Sequence, residues 1–267
     1  MSEANQGKPL AGKGIVVTRP AHQAGYLAES VRAAGGNVIL FPAIEIVDVE
    51  DKAPLFALLD RLDEFAWAVF VSPNAVGRAL NLIKARRTVP PALRFAAIGR
   101  ASVRELNEFG ATAVIAPARF DSEALLDLPE MKNVAGKRIV VFRGAGGRDL
   151  LGDTLAARGA AVEYAECYRR SRPLSDTAPL FDAWARDKLH AITVTSSDGL
   201  KNLFSMIGAR GHAQLRATPL FVPHARIAAT ARELEFTAVV LTAQGDDGLL
   251  AGLKSWFAAR AGVPKSA

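Results

Sequence analysis

The chain has 267 residues, which exceeds the length of one typical domain and favours two lobes. Half of its residues are apolar and 22% are charged, and this ordinary globular composition excludes disordered and fibrous classes. The net charge of +6 and the pI of about 9.7 favour an anionic partner, either nucleic acid or a small polycarboxylate.

Strands are predicted wherever β-branched and apolar residues form short runs. The first run, Ile15 to Val17, precedes a polar turn and then Leu27, Val31 and Ala34 at helical spacing. Further strands are predicted at 38–41, 68–71, 95–98, 113–115, 139–142, 192–195, 220–222 and 238–241. Helices fit between nearly all of them, and the runs are continuously apolar, so we predict a doubly wound α/β protein with parallel sheets.

An internal repeat organises the chain. Residues 12–38 reappear as 136–162, a shift of 124 positions with 11 of 27 residues identical, and 66–83 matches 190–207 in pattern at the same shift. Two copies are too few for a solenoid and predict two related lobes. Segments 41–54 and 164–179 carry the proline and charge shifts expected of a two-segment crossing between these lobes.

Polar turns after four predicted strands are candidate ligand sites, because ligands of open α/β sheets bind beyond the carboxyl ends of strands. These turns are 18–20, 72–74, 143–147 and 195–198. Their Ser, Asn and Asp residues either cap the following helices or bind a ligand. Because hydrogen-bond donors recur at equivalent positions of both repeat copies, ligand binding is favoured for the four turns taken together.

Several other sites are excluded by sequence. The glycines at 144 and 146 resemble a dinucleotide fingerprint, but its third glycine is replaced by Asp149. No phosphate loop or GxSxG elbow occurs, and the four histidines and one cysteine lack the spacing of a metal site. We therefore expect neither cofactor nor metal. With a lone Cys167, no apolar leader and apolar runs too short for a bilayer, we expect a cytoplasmic protein without membrane contact.

The order and spacing of seven short motifs over residues 12–253 resemble the uroporphyrinogen-III synthases. The motifs are VVTRP (16–20), VSPNAV (71–76), AIG (97–99), FRG (142–144), ECYRR (166–170), TSSDGL (195–200) and PHARIA (223–228). The resemblance implies a discontinuous lobe of residues 1–45 and 174–267 and a second lobe of residues 50–166. It also implies an active site in the cleft between them.

The same resemblance implies a reaction and a substrate. The substrate is hydroxymethylbilane, a linear tetrapyrrole with carboxylates on its acetate and propionate arms. It loses its terminal hydroxyl and closes through a spiro intermediate that inverts the last pyrrole, giving uroporphyrinogen III without a cofactor. Because uncatalysed closure gives the type I isomer, the enzyme mainly holds a flexible chain in one geometry.

Site residues follow from the motifs. Tyr168 matches the recurrent tyrosine of the family, which implies that it assists hydroxyl departure, although the residue alone is more typical of a strand position that packs its ring and exposes its hydroxyl to water. Contacts to carboxylates or pyrroles are expected from Arg19, Ser72, Asn74, Gly99, Arg143, Gly144, Thr195, Ser196 and Ser197.

We expect this chain to be a monomer, and two other functional classes stay open at this stage. A non-catalytic two-lobed binding protein for a small anionic ligand has the same lobes, but its usual signal peptide is missing. A nucleic-acid-binding protein fits the pI, yet no predicted helix gathers Lys and Arg on one face, so we expect no nucleic acid partner.

Overall fold

The structure is a computed structural model that describes residues 7–119 and 121–261. Its contacts divide the chain into two units: unit 1 contains the residues up to Glu45 and those from Ser171 onward, and unit 2 is Ile46–Arg170. The interpretation of these units as lobes with the bounds predicted above stays a prediction. Among the described residues, no helix is long and apolar enough to cross a membrane.

Most strands lie where the sequence predicts them, within two residues at each end. In chain order they are β1 (Gly14–Val17), β2 (Asn37–Leu40), β3 (Glu45–Val47), β4 (Trp67–Phe70), β5 (Arg94–Ala97), β6 (Val114–Ile115), β7 (Arg138–Gly144), β8 (Ala161–Ser171), β9 (Ala191–Thr193), β10 (Leu220–Val222) and β11 (Val239–Leu241).

Helices separate most of these strands, as the predicted alternation requires. They are α1 (Gly25–Ala33), α2 (Ala53–Asp60), α3 (Pro73–Arg86), α4 (Arg100–Glu108), α5 (Ser122–Leu126), α6 (Pro129–Lys132), α7 (Leu150–Ala157), α8 (Ala178–Ala185), α9 (Ser197–Ile207), α10 (His212–Ala217), α11 (Ala225–Glu233) and α12 (Gly245–Ala261). Short 3-10 helices lie at Ala21–Gln23, Leu62–Glu64 and Ala209–Gly211.

The two sheets have related strand orders. The unit 1 sheet runs β11-β10-β9-β1-β2, and the unit 2 sheet runs β3-β8-β7-β4-β5-β6. The pairs β1/β2, β1/β9, β4/β7 and β7/β8 are parallel. β7 and β8 stand beside β4 as β1 and β2 stand beside β9, so each sheet combines the opening strands of one repeat copy with the later strands of the other. The predicted α/β fold class with parallel sheets is confirmed.

Both faces of each sheet are covered by apolar side chains, which explains the continuous apolar runs. In β1, Ile15 and Val17 pack into one cluster with helix residues such as Leu27, while Val16 packs into another with Leu200. Alternate residues of a strand point to opposite faces, so each strand contributes to two cores. Each buried Val or Ile contributes about 1.5–3 kcal/mol.

The segments predicted as crossings contain two strands that the sequence analysis missed. β3 lies in the first segment, and the eleven-residue β8 runs from before the second into it. β8 forms main-chain bonds to β7 between Ala161 and Tyr168. Strands pair through main-chain N–H and C=O groups, and a strand with one half-exposed face tolerates charged side chains. The polar sequence of these segments therefore did not predict a strand.

Candidate active site

Within each unit, the predicted site residues lie at the carboxyl ends of parallel strands. In unit 1, Arg19 follows β1 and the segment 195–197 follows the neighbouring strand β9. In unit 2, they lie at or beyond the ends of adjacent strands: Ser72, Asn74, Gly99, Arg143, Gly144 and Tyr168. Since parallel strands end at one edge of a sheet, each unit gathers its own candidates at that edge.

Two serines cap the helices that follow these strands. The Ser72 Oγ accepts the Ala75 N–H at 3.1 Å at the start of α3, and the Ser196 Oγ accepts the Gly199 N–H at 3.0 Å at the start of α9. Both serines have extended backbone, as N-cap residues do. They are 124 positions apart, so the repeat has the same cap in both units.

The polar residues next to the two capping serines also have defined positions. Asn74 lies in the first turn of α3 and is half-buried, and Thr195 is half-buried in the loop after β9. The Ser197 Oγ accepts a hydrogen bond from the Thr230 hydroxyl at 3.2 Å, which ties α9 to α11. Main-chain N–H groups remain at the N-termini of α3 and α9, where carboxylates bind favourably.

Tyr168 is a core residue whose hydroxyl contacts Ser72. Its relative exposure is 1%, and it packs in the same cluster as Phe142 and Val76. The Tyr168 hydroxyl lies 3.0 Å from the Ser72 Oγ. Of the predicted site residues of unit 2, these two are joined by a direct side-chain hydrogen bond.

An irregularity in β8 turns Tyr168 into this core. β8 pairs Glu166 with Arg143 but Tyr168 with Gly144, so Cys167 is an extra residue at a bulge. Cys167 and Tyr168 are consecutive yet pack in one cluster, which strict alternation forbids. Burial raises the pKa of the Cys167 thiol to about 12, so the thiol stays protonated.

Gly144 provides the space for the Tyr168 ring. A Cβ at Gly144 would lie 2.6 Å from the Tyr168 Cε2 and Cζ and 3.1 Å from its hydroxyl oxygen. Such distances are below van der Waals contact. The role of Gly144 as a substrate contact stays a prediction, and the absence of a side chain there leaves room for the ring of Tyr168.

Arg143 is buried and its guanidinium is bound within unit 2. Its Nη1 donates to the Asp149 Oδ1 at 2.7 Å and to the Gly147 carbonyl at 3.2 Å, and its Nη2 donates to the Glu166 Oε1 at 3.3 Å. The guanidinium lies 3.8 Å from the centroid of the Tyr164 ring. Burial lowers the pKa of Arg143, but the carboxylates outweigh it and hold the pKa above its usual value. Arg143 therefore organises the loop 145–149.

Arg19 has an acidic partner at the corresponding place in unit 1. The Arg19 Nη2 lies 2.7 Å from the Asp246 Oδ1 at the start of α12, and both side chains are mostly buried. Burial raises the pKa of Asp246, and the attraction of Arg19 lowers it without cancelling that shift. The charge of Arg19, which was expected to bind a carboxylate, is thus already offset within the unit.

We expect Asp246→Asn to be more stable than the wild type at pH 7. A carboxyl with a higher pKa in the folded state binds protons more tightly there, so the free energy of unfolding falls as the pH rises through that pKa. Asn mimics the protonated form, and the difference should shrink as the pH falls towards about 4. Urea unfolding at both pH values measures it.

A matched control is Asp182→Asn, which changes an exposed carboxylate beside Arg186. It should shift the free energy of unfolding by less than about 0.5 kcal/mol at either pH. A loss of stability in Asp246→Asn at pH 7 would mean that the attraction of Arg19 outweighs the cost of burying the carboxylate.

A cavity that sequence reasoning missed opens beside α4. It has a volume of about 540 Å³ and is lined by Arg100, Val103, Arg104 and Ala116. Gly99 begins α4, and its carbonyl accepts the Val103 N–H at 3.1 Å. The sequence feature that could have indicated this cavity is the pair Arg100 and Arg104, which are four residues apart and therefore lie on one helix face. The exposed Arg104 guanidinium beside the apolar Val103 side chain suits a carboxylate on a short alkyl arm.

Within residues 7–119 and 121–261, no group of three or more His, Cys, Asp or Glu residues is arranged to hold a metal ion. The chemistry available at the two sheet edges is hydrogen bonding by hydroxyls and main-chain N–H groups, together with guanidinium charge.

Comparison with known proteins identifies the family. A family model described as Uroporphyrinogen-III synthase HemD matches residues 26–251, most of the chain. The chain belongs to the uroporphyrinogen-III synthase family. This family member is 37% identical to the uroporphyrinogen-III synthase of Salmonella typhimurium over 245 residues, covering 90% of this chain and 99% of the relative. It is 35% identical to the uroporphyrinogen-III synthase of Escherichia coli, with the same coverage.

Solved structures of uroporphyrinogen III synthases share the fold. A mutant Thermus thermophilus enzyme superposes with a TM-score of 0.59 at 17% identity, covering 93% of this chain and 99% of that one. The Helicobacter pylori protein gives a TM-score of 0.60 at 12% identity, covering 91% and 99%. At such identities the likeness concerns the fold alone, and it confirms the predicted α/β architecture of this uroporphyrinogen-III synthase family member.

Proposed function

We propose that this chain cyclises the linear tetrapyrrole hydroxymethylbilane to uroporphyrinogen III, with inversion of the last pyrrole and loss of water. The observation that carries the proposal is a buried phenol bonded to a serine hydroxyl at the carboxyl edge of a parallel sheet. It occurs in a chain whose similarity to named uroporphyrinogen-III synthases extends over nine-tenths of its length. A protein that only binds an anion has no need of such a proton donor.

Binding of the carboxylate arms is assigned to groups at both sheet edges. The capped N-termini of α3 and α9 offer main-chain N–H groups beside Ser72 and Ser196, and the cavity beside α4 offers the Arg104 guanidinium. Arg143 contributes by shaping the loop that follows Gly144. Fixing several arms at once favours one reactive geometry of a flexible substrate.

Of the remaining predicted contacts, Asn74, Thr195 and Ser197 lie beside the two caps, and Arg19 lies beside Asp246. We assign them to the same carboxylate-binding edges. Tyr168 supplies the proton that assists departure of the hydroxyl. The reaction needs no metal or organic cofactor, and we propose that the protein acts as a cytoplasmic monomer.

The decisive test is an isomer assay. Purified protein is mixed with freshly generated hydroxymethylbilane, the products are oxidised, and the type I and type III porphyrins are separated by chromatography. Predominantly type III product is expected. Type I product alone, from protein shown by circular dichroism to be folded, would reject the enzyme assignment and favour a non-catalytic binding protein.

A further inference from the structure

The hydrogen-bond capacity of the Ser72 and Tyr168 hydroxyls determines which of them donates to the other. Among the described residues, the Ser72 Oγ is the hydrogen-bond partner of the buried Tyr168 hydroxyl. If Ser72 donated, the Tyr168 proton would be buried without an acceptor, which is costly. Tyr168 therefore donates to Ser72.

The outward-facing group of the pair is then the Ser72 hydroxyl. Its oxygen accepts two hydrogen bonds, from Tyr168 at 3.0 Å and from the Ala75 N–H at 3.1 Å. Both lone pairs are used, so the serine proton is the one group left to offer. Ser72 is partly exposed, whereas the ring of Tyr168 is not. Two donors into one oxygen also polarise its O–H bond.

The repeat shows that this pair belongs to one unit only. The position equivalent to Tyr168 is Ile44, which is buried and whose Cδ1 lies 3.5 Å from a Cβ built at Gly199, beside the cap Ser196. The position equivalent to Gly144 is Pro20. Unit 1 thus has the cap without the phenol or the glycine that makes room for it, and the two caps are chemically distinct.

We propose that Ser72 is the catalytic residue that protonates the leaving hydroxyl, and that Tyr168 is a positioning residue that supplies the proton through Ser72. This inference rests on the proposed function. It reassigns the direct contact from the buried phenol to the serine that caps α3, and it assigns Ser196 of unit 1 to binding alone.

The proton transfers balance. The bond between carbon and oxygen of the terminal hydroxymethyl group breaks, its electron pair stays on oxygen, and the Ser72 proton converts that oxygen to water. The lone pair of the pyrrole nitrogen stabilises the carbon as an azafulvenium ion. Tyr168 passes its proton to Ser72 and becomes a phenolate. The pyrrole carbon that forms the new ring bond later loses its proton, which returns through Ser72 to Tyr168.

The test compares initial rates of type III formation for Tyr168→Phe, Ser72→Ala, the double variant and Ser72→Thr. Each single loss of a hydroxyl is expected to lower kcat about 10- to 100-fold with KM changed less than about threefold. The double variant should be no slower than Ser72→Ala, because the two groups act as one unit. Ser72→Thr keeps a hydroxyl and a cap, so it should recover most of the rate.

Two controls separate the relay from capping. Asp121 caps α5 of the same unit through the Ala124 N–H at 2.7 Å, so Asp121→Ala removes a cap elsewhere and should keep kcat. Ser196→Ala removes the equivalent cap of unit 1 and should raise KM. The solvent deuterium isotope effect on kcat should fall in Tyr168→Phe and stay at the wild-type value in Ser196→Ala. Urea midpoints verify that each variant is folded at the assay temperature.

The outcomes are distinguishable. If the wild type forms no type III product, the proposed function fails and the relay fails with it. If the wild type is active and Ser72→Ala keeps its kcat, or if the losses of the two single variants multiply in the double variant, the relay alone is overturned. In that case Tyr168 acts on the substrate without Ser72.

Discussion

Gly144→Ala is expected to destabilise the protein by about 1–3 kcal/mol and to abolish most of its turnover. The new methyl group would lie 2.6 Å from two ring carbons of Tyr168. That ring is 1% exposed and packs in the core with Phe142, so it has no open space into which to move. The clash must displace either the ring or the end of β7, and both changes break the bond between Tyr168 and Ser72.

Urea unfolding and the rate of type III formation measure the two effects separately. Gly25→Ala is the matched control, because no atom lies within 4 Å of a Cβ at that position at the start of α1. It should be neutral or stabilising by up to about 1 kcal/mol. If Gly144→Ala kept wild-type stability and turnover, the core around the Tyr168 ring would have more free space than these distances indicate.

Arg104→Glu is expected to raise KM for hydroxymethylbilane by about 10- to 100-fold. A hydrogen bond to a charged group contributes about 1.5–3 kcal/mol, and each 1.4 kcal/mol corresponds to a factor of ten. The substitution also places a carboxylate in a cavity proposed to receive one. Because Arg104 is exposed, stability should change by less than about 0.5 kcal/mol.

The control for Arg104→Glu is Arg186→Glu, which makes the same change of net charge at an exposed arginine of unit 1. It tests whether the overall charge of the protein, rather than the cavity, attracts the anionic substrate. Equal increases of KM in the two variants would remove the cavity from the binding site. An increase confined to Arg104→Glu would support its assignment.

The sequence alone determined the α/β class and most strand positions, and it made Ser72 and Ser196 candidates for helix caps. These features depend on local information, since apolar runs, β-branched residues and cap residues act over a few neighbours along the chain. The internal repeat extended this reach, because equivalent positions such as Ser72 and Ser196 could be paired without coordinates. The family resemblance supplied the substrate, the reaction and the expectation of a discontinuous lobe.

Only the tertiary structure decided which groups the candidate residues contact within the protein. The bulge at Cys167 interrupts the alternation of side chains along β8, so that Tyr168 points into the core. This brings the phenol to Ser72, 96 positions away. Asp246 lies far from Arg19 in sequence yet offsets its charge, and Glu166, 23 positions from Arg143, is likewise brought to that residue by folding. Such contacts depend on packing between distant segments, which no local pattern of residues encodes.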